Sequence, residues 1–324
     1  VVRYQPVTLE EPIVVTGGAG FIGSNLVRRL VELGCHVGVV DVDANGQVDR
    51  APCVVGADYA YDDLRHVSLG TTWVRRGRTV IHLAADMGGV GYFHSDADFT
   101  AATTNTQIDI NVLRAVAETG ARTFVASSAC AYPIEQQMTE GEPPLLAEEE
   151  VGFGTPDALY GAAKLHLARM AAKLPNVRVG VLHTVYGPLC ERDGRRMKFP
   201  AAVATKALRA RETGVLELWG NGRQMRSYLY VDDAVDRILQ LTDAERYEGP
   251  VNVGYEGAVT CRDVAELCLD LAGVPDATIH LNLAEPSGVL ARDCDNTEWR
   301  RRFGPTDDVE LREGFRRLIE WLDT

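Results

Sequence analysis

"VVTGGAGFIGSNLVRRL", residues 14–30, decides the fold. It opens inside a short apolar run, Ile13–Thr16, that reads as a buried strand. Gly17, Gly20 and Gly23 follow at the spacing G-x-x-G-x-x-G, and the amphipathic stretch over 22–33 reads as a helix. A dinucleotide needs strand, glycine turn and helix in that order. The first glycine permits the tight turn, the second lets a pyrophosphate approach the backbone, and the third lets helix and strand pack closely. Free N–H groups at the helix start, around Gly20, Phe21 and Ile22, bind the anion.

The next apolar run, His36–Val40, leads into Asp41 of "VVDVD". An acid at this strand end takes the adenosine ribose hydroxyls and repels a 2′-phosphate, so NAD is expected rather than NADP. Asp58, after "VVGA", is the expected adenine contact, with Asp63 competing for that role. Further strands read at 53–55, 80–83, 123–126 and 177–182, with helices at 100–119 and 158–173 between them. This alternation predicts an α/β chain with a Rossmann-type, doubly wound parallel sheet. Beyond Tyr186 the pattern becomes irregular, with a helix at 232–243, a strand at 250–253 and a helix at 260–272. The expected division is an NAD-binding domain over 1–185, with 228–254 folding back onto it. Residues 186–227 and 255–324 then form a smaller mixed α/β substrate lobe.

Bulk properties exclude other classes. The 324 residues carry a net charge of −13, which argues against a nucleic-acid or anionic-membrane surface. No apolar stretch approaches the ~20 residues of a membrane span, and the N-terminus has no signal-peptide core. Seven cysteines at scattered spacings, with no C-x-x-C, fit reduced thiols in a cytoplasmic protein better than disulfides or a metal site.

Chemistry is written in three places. "AADMGGVGY", 84–92, leaves the strand 80–83 through a loop almost bare of side chains. Ligands of such sheets bind outside the carboxyl ends of the strands, so Leu83, Ala84 and Ala85 are expected beside the cofactor. "ALYGAAKLHLARM", 158–170, puts Tyr160 and Lys164 on one helical face. A lysine beside a phenol lowers its pKa, and a tyrosinate could take the proton of an alcohol while hydride leaves for a nicotinamide. "FVASSACAYP", 124–133, brings Ser128 to the same oxygen.

T-G-x-x-G-x-x-G with Y-x-x-x-K resembles the extended short-chain dehydrogenase/reductase family, whose members act mainly on nucleotide sugars. "HTVYGP", "WGNGRQMRSYLYVDD" and "PVNVG" extend the resemblance over nearly the whole chain. Within that family, "AADMGGVGY", "SSACAYP", "GRRMKFPAA" and "ARDCDN" are similar to the GDP-mannose 3,5-epimerases. The resemblance implies NAD as cofactor and a GDP-hexose as substrate, with Cys130 and Lys198 as the two acid/base groups. Met87, Gly88 and Gly89 would lie against the sugar, the glycines leaving room for the ring to turn over. Dehydratases of this fold carry an Asp-Glu pair where this chain has Ala129 and Cys130, which argues against dehydration. Arg226 is expected at the diphosphate, Arg292 at the diphosphate or sugar, and Lys206 as a third cation. A homodimer through helices 103–119 and 158–173 is also implied. His82 and His183 read as satisfied structural histidines and Asp232 as a helix cap.

Two departures concern the sugar. Met197 stands where the plant-type epimerase has Glu, and Thr184 where the family commonly carries Asn. They leave open a single-centre C5 or C3 enzyme, a C4 epimerase, or a specialised route to a sugar such as L-gulose. A non-catalytic NAD-binding regulator is a further alternative, though such proteins typically lose the Tyr or the Lys.

Overall fold

Short apolar runs build one seven-stranded parallel sheet: β1 (Ile13–Thr16), β2 (Val37–Asp41), β3 (Asp58–Tyr61), β4 (Thr79–His82), β5 (Arg122–Ser128), β6 (Val177–Leu182) and β7 (Val251–Val253). Their order is β7-β6-β5-β4-β1-β2-β3. The structure is a computed structural model that describes residues 8–42, 53–93, 95–139, 141–192, 194, 196–245 and 247–324. All seven strands pair in parallel, as the doubly wound reading requires. Because side chains alternate along a strand, Ile13 and Val15 join a core with Leu26 and Leu30 on one face. Val14 joins Val80, Val112 and Leu167 on the other.

The strand expected at 53–55 is not formed. Val55 is 92% exposed and lies in a turn, and β3 begins at Asp58 instead. β3 is the sheet edge and buries only Ala60 fully, so it lacks the apolar run that marks a central strand.

Helices cover both faces: α1 (Phe21–Glu32), α2 (Leu69–Arg76), α3 (Ala97–Thr119), α4 (Ala158–Ala171), α5 (Phe199–Thr213), α6 (Val231–Asp243), α7 (Cys261–Leu271) and α8 (Leu311–Leu322). The region after Tyr186 is more regular than its sequence suggests. α5 starts with Pro200 in its first turn and stops at the left-handed Gly214, start and stop signals of an ordinary helix. Val215–Trp219 pairs in parallel with Thr278–Asn282. A small sheet runs in the order Val259–Thr260, Met225–Arg226, Ala291–Cys294, Leu145–Leu146. α6 then packs on α1, and β7 pairs with β6. Among the described residues no helix is long and apolar enough to cross a membrane.

Glu148 receives the backbone N–H of Asn252 in β7 at 2.8 Å, and burial pushes its carboxyl up to about 7. Below the ordinary glutamate pKa both folded and unfolded chains hold the proton. As pH rises towards 7 the unfolded chain ionises freely and the folded one does not, so stability falls. The urea midpoint is expected to drop between about pH 5 and about pH 7.5, and the slope to flatten in Glu148→Gln.

Candidate active site

β1 lies between β2 and β4, so the loops leaving β1 and β4 form a crevice at their carboxyl ends. Gly17 takes φ +72°, and a Cβ there would lie 2.6 Å from the Ala84 nitrogen. The two loops thus meet backbone to backbone. Leu83 N–H donates to the Thr16 carbonyl at 3.0 Å, which fixes Leu83, Ala84 and Ala85 beside the glycine turn. α1 begins at Gly20 with no side-chain cap and no acid in its first turn, so its leading N–H groups are available to an anion. Asp41 accepts the N–H of Ala19 at 3.0 Å and of Val42 at 2.8 Å, which aims its carboxylate at the same turn. These residues fit NAD: the helix start would hold the pyrophosphate and Asp41 the ribose. Asp58 does not fit the adenine role. It sits at the amino end of β3, exposed, with His36 Nε2 at 3.1 Å. Asp62 and Asp63 follow the carboxyl end of β3 and face the crevice side. Asp62 accepts the Gly70 N–H, and Asp63 chelates Arg65.

α4 delivers Tyr160 and Lys164, both buried. Its start is fixed from α3, where the Asp98 carboxylate receives the N–H groups of Leu159 and Tyr160 at 3.0 and 3.1 Å. Ser128 closes β5, hydrogen-bonds the Tyr160 phenol and accepts the Cys130 N–H at 3.2 Å. Phe93 stacks on the Tyr160 ring with centroids 4.6 Å apart. The expected tyrosinate is not a property of the protein alone. Burial, then the neighbouring Cys130, push the phenol well above its ordinary value, and the Ser128 hydrogen bond recovers only part of that.

Cys130 sits in the single helical turn Ala129–Ala131. Its carbonyl accepts the Asp157 N–H at 2.8 Å, and Gly161 of α4 packs on that carbonyl so closely that a Cβ would fall 2.2 Å away. Arg292 comes from the small sheet and ends here. Its Nη1 donates to Cys130 Sγ at 3.6 Å, Nη2 to Asp157 at 3.0 Å, and Nε to Gln137. Arg292 therefore ends at the thiol, held there by Asp157 and Gln137. Lys198 directly precedes α5. Burial holds its ammonium below the usual lysine range, with Cys130 opposing the shift.

The bare loop has a reason within the chain itself. A Cβ on Gly88 would strike the Tyr92 ring at 2.7 Å, and one on Gly89 the Met197 carbonyl oxygen at 2.5 Å. The protein's own chain leaves no room for a side chain at either position. Arg196 joins the same two loops: it pairs with Asp86, donates to the Met87 carbonyl and the Tyr92 hydroxyl at 3.1 Å each, and lies 4.6 Å over the Tyr92 ring.

Thr184 starts the short strand Thr184–Tyr186, paired with Tyr228–Tyr230. Lys206 is already engaged, donating to the Glu217 carbonyl at 3.0 Å and lying 5.4 Å from the Trp219 ring, which weakens its case as a free anion ligand. Arg226 donates to the carbonyls of Met225, Leu290 and Val289, while burial and then Arg292 press against its charge. A cation so placed is suited to an anionic ligand. Gln224 Oε1 and Ser227 Oγ, on the same stretch, are buried without hydrogen-bond partners. They had no signature in the sequence.

His82 is satisfied on both nitrogens, by Thr16 and Asp109. His183 is satisfied only at Nε2, by Asn252. Burial lowers it to about 3, and its Nδ1 has no partner. Asp232 lies inside the first turn of α6 rather than capping it, 3.9 Å from Arg317. Among the described residues no group of three or more His, Cys, Asp or Glu could hold a metal ion.

Fold and glycine turn define a dinucleotide-dependent class of enzyme. The chain belongs to the NAD-dependent epimerase/dehydratase family, whose model matches residues 13–254. It is 32% identical over 316 residues to GDP-mannose 3,5-epimerase 1 of Oryza sativa subsp. indica, covering 96% of this chain and 81% of that one. It is also similar to MoeE5 solved with UDP-glucose and NAD, at 28% identity, TM-score 0.75, and 96% and 98% coverage. UDP-glucose 4-epimerase of Thermotoga maritima shares the fold at 24% identity, TM-score 0.80, and the same coverages.

Proposed function

We propose that the protein is a nucleotide-sugar epimerase that inverts a GDP-hexose, most simply GDP-mannose, at C3 and C5. The observation that carries this reading is the seat of Cys130: it lies in the turn that follows Ser128, with Arg292 on its thiol and Gly161 of the Tyr160 helix packed on its carbonyl. NAD, when bound at the glycine turn, would supply the hydride acceptor and donor for C4. Tyr160, aligned by Ser128 and assisted by Lys164, takes the C4 hydroxyl proton and later gives it back. The resulting ketone makes the hydrogens on C3 and C5 acidic, because each carbanion is an enolate. Cys130 and Lys198 then remove a proton from one ring face and deliver one to the other. Arg292 fixes the thiol, Arg226 takes the diphosphate, and the lobe formed by 186–227 and 255–324 holds the nucleotide. Relatedness to an enzyme named for GDP-mannose supports the choice of sugar. Met197 and Thr184 favour a second reading in which one centre alone is inverted. A homodimer through α3 and α4 is part of the proposal, supported by Phe99 and Leu159, exposed at the starts of these packed helices.

Proton NMR of GDP-mannose with the enzyme in D2O tests the reading. Loss of the H3 and H5 signals with galacto- or gulo-configured products is expected. Loss of H5 alone selects the single-centre enzyme, and an unchanged spectrum overturns GDP-mannose as substrate.

A further inference from the structure

We propose that Arg196 is a positioning residue: its guanidinium clasps the loop Asp86–Tyr92 and thereby fixes the course of the chain at Lys198, two residues on. The inference rests on the epimerase reading and deepens it. Lys198 has a long side chain with four rotatable bonds, and a proton-transfer group must be held to a fraction of an ångström. Nothing in its own helix supplies this, because Lys198 precedes α5 and caps it without a side-chain bond. The constraint comes from the other loop. Arg196 spends its guanidinium on four features of the segment 86–92: the Asp86 carboxylate, the Met87 carbonyl, and the hydroxyl and ring of Tyr92.

That segment is itself anchored. Asn105 of α3 accepts the Asp86 N–H at 2.6 Å and donates to the Asp86 carbonyl at 2.9 Å, and Tyr92 donates to the Asp86 carboxylate at 2.9 Å. Arg196 therefore grips a rigid partner. Between Arg196 and Lys198 the chain is seated a second time, where the Met197 carbonyl fits against Gly89. Two contacts flanking one peptide leave Lys198 little freedom. The Arg196–Asp86 pair is partly exposed, so it adds little to global stability, and its removal is expected to leave the fold intact.

The test uses the whole enzyme with its bound NAD and GDP-mannose in D2O. Arg196→Ala is expected to lower kcat for inversion by about 10²-fold, with KM and melting temperature near wild type. Formation of reduced cofactor on mixing, which reports C4 oxidation by Tyr160, should be unchanged. Arg196→Lys, which keeps the charge but cannot reach all the partners of a planar fork, is expected to be intermediate. Gly89→Ala disturbs the same peptide without touching a charge and should reproduce the split between inversion and C4 oxidation; it also decides the matter if Arg196→Ala does not fold. Wild-type inversion in Arg196→Ala, or loss of C4 oxidation in parallel with inversion, overturns the proposal. If the wild-type enzyme inverts no nucleotide sugar, the epimerase reading itself has failed and takes this inference with it.

Discussion

Cys130→Ser and Lys198→Met should each reduce inversion of GDP-mannose by about 10³-fold while sparing C4 oxidation. General acid–base catalysis by one positioned group contributes roughly 10²–10⁴-fold, and inversion needs a group on each face of the ring. The single variants should therefore not be silent in D2O. The surviving group can still remove a proton and return solvent deuterium to the same face, so deuterium should wash in without a change of configuration. A C4 epimerase, which reorients a 4-keto sugar, would tolerate both substitutions. Unchanged turnover in both variants would sink the proposed chemistry and leave the fold and cofactor assignments standing. The burial that lowers Lys198 also predicts that the pH limb lost in Lys198→Met lies below the ordinary lysine range.

The second large effect concerns the glycine turn, where two neighbouring substitutions should fail in different ways. A Cβ on Gly23 would lie 2.1 Å from the Gly17 carbonyl oxygen and 2.7 Å from Gly18 Cα, both backbone atoms. Nothing flexible can yield, so Gly23→Ala must push α1 off the turn that follows β1. Overpacking of this kind costs about 1–3 kcal/mol, and the variant is expected to melt several degrees lower and to purify without NAD. On Gly20 the nearest atom is the Gly17 oxygen at 3.2 Å. Gly20→Ala should therefore fold nearly as well as wild type yet lose NAD, because its methyl stands where a pyrophosphate approaches the backbone. Cofactor content and melting temperature, measured together, separate the two. Retained NAD in Gly20→Ala would mean that the pyrophosphate does not lie over this turn.

What the sequence disclosed follows from how local each cause is. The glycine turn and the central strands β1, β4, β5 and β6 are dictated by neighbouring residues, and their positions are read within a residue or two. β3 escaped because an edge strand needs no continuous apolar run, and that error carried Asp58 to the wrong end of its strand. α5 escaped because alanines occupy most of its buried positions and give little contrast between its faces. Tyr160, Lys164, Ser128, Cys130 and Lys198 stand out through motifs, and the structure places the first four on α4, β5 and the turn after it. Their settings were not legible. Arg292 meets Gln137 across 155 positions, and Arg196 meets Asp86 across 110. Such partners exist only once the chain is folded. The expected lowering of the Tyr160 pKa failed for a related reason: burial, a property of the whole fold, outweighs any single neighbour.

The seating of Gly89 on Met197 also bears on how this site can change over generations. Neither loop can vary alone. A side chain at position 89 is admissible only where the carbonyl of residue 197 has already retreated, and a new course for 196–198 is admissible only where 86–92 still receives it. The two stretches, far apart in sequence, are expected to change together. Grafting either of them singly from a relative of different sugar preference should import a collision, whereas exchanging both should carry the preference across.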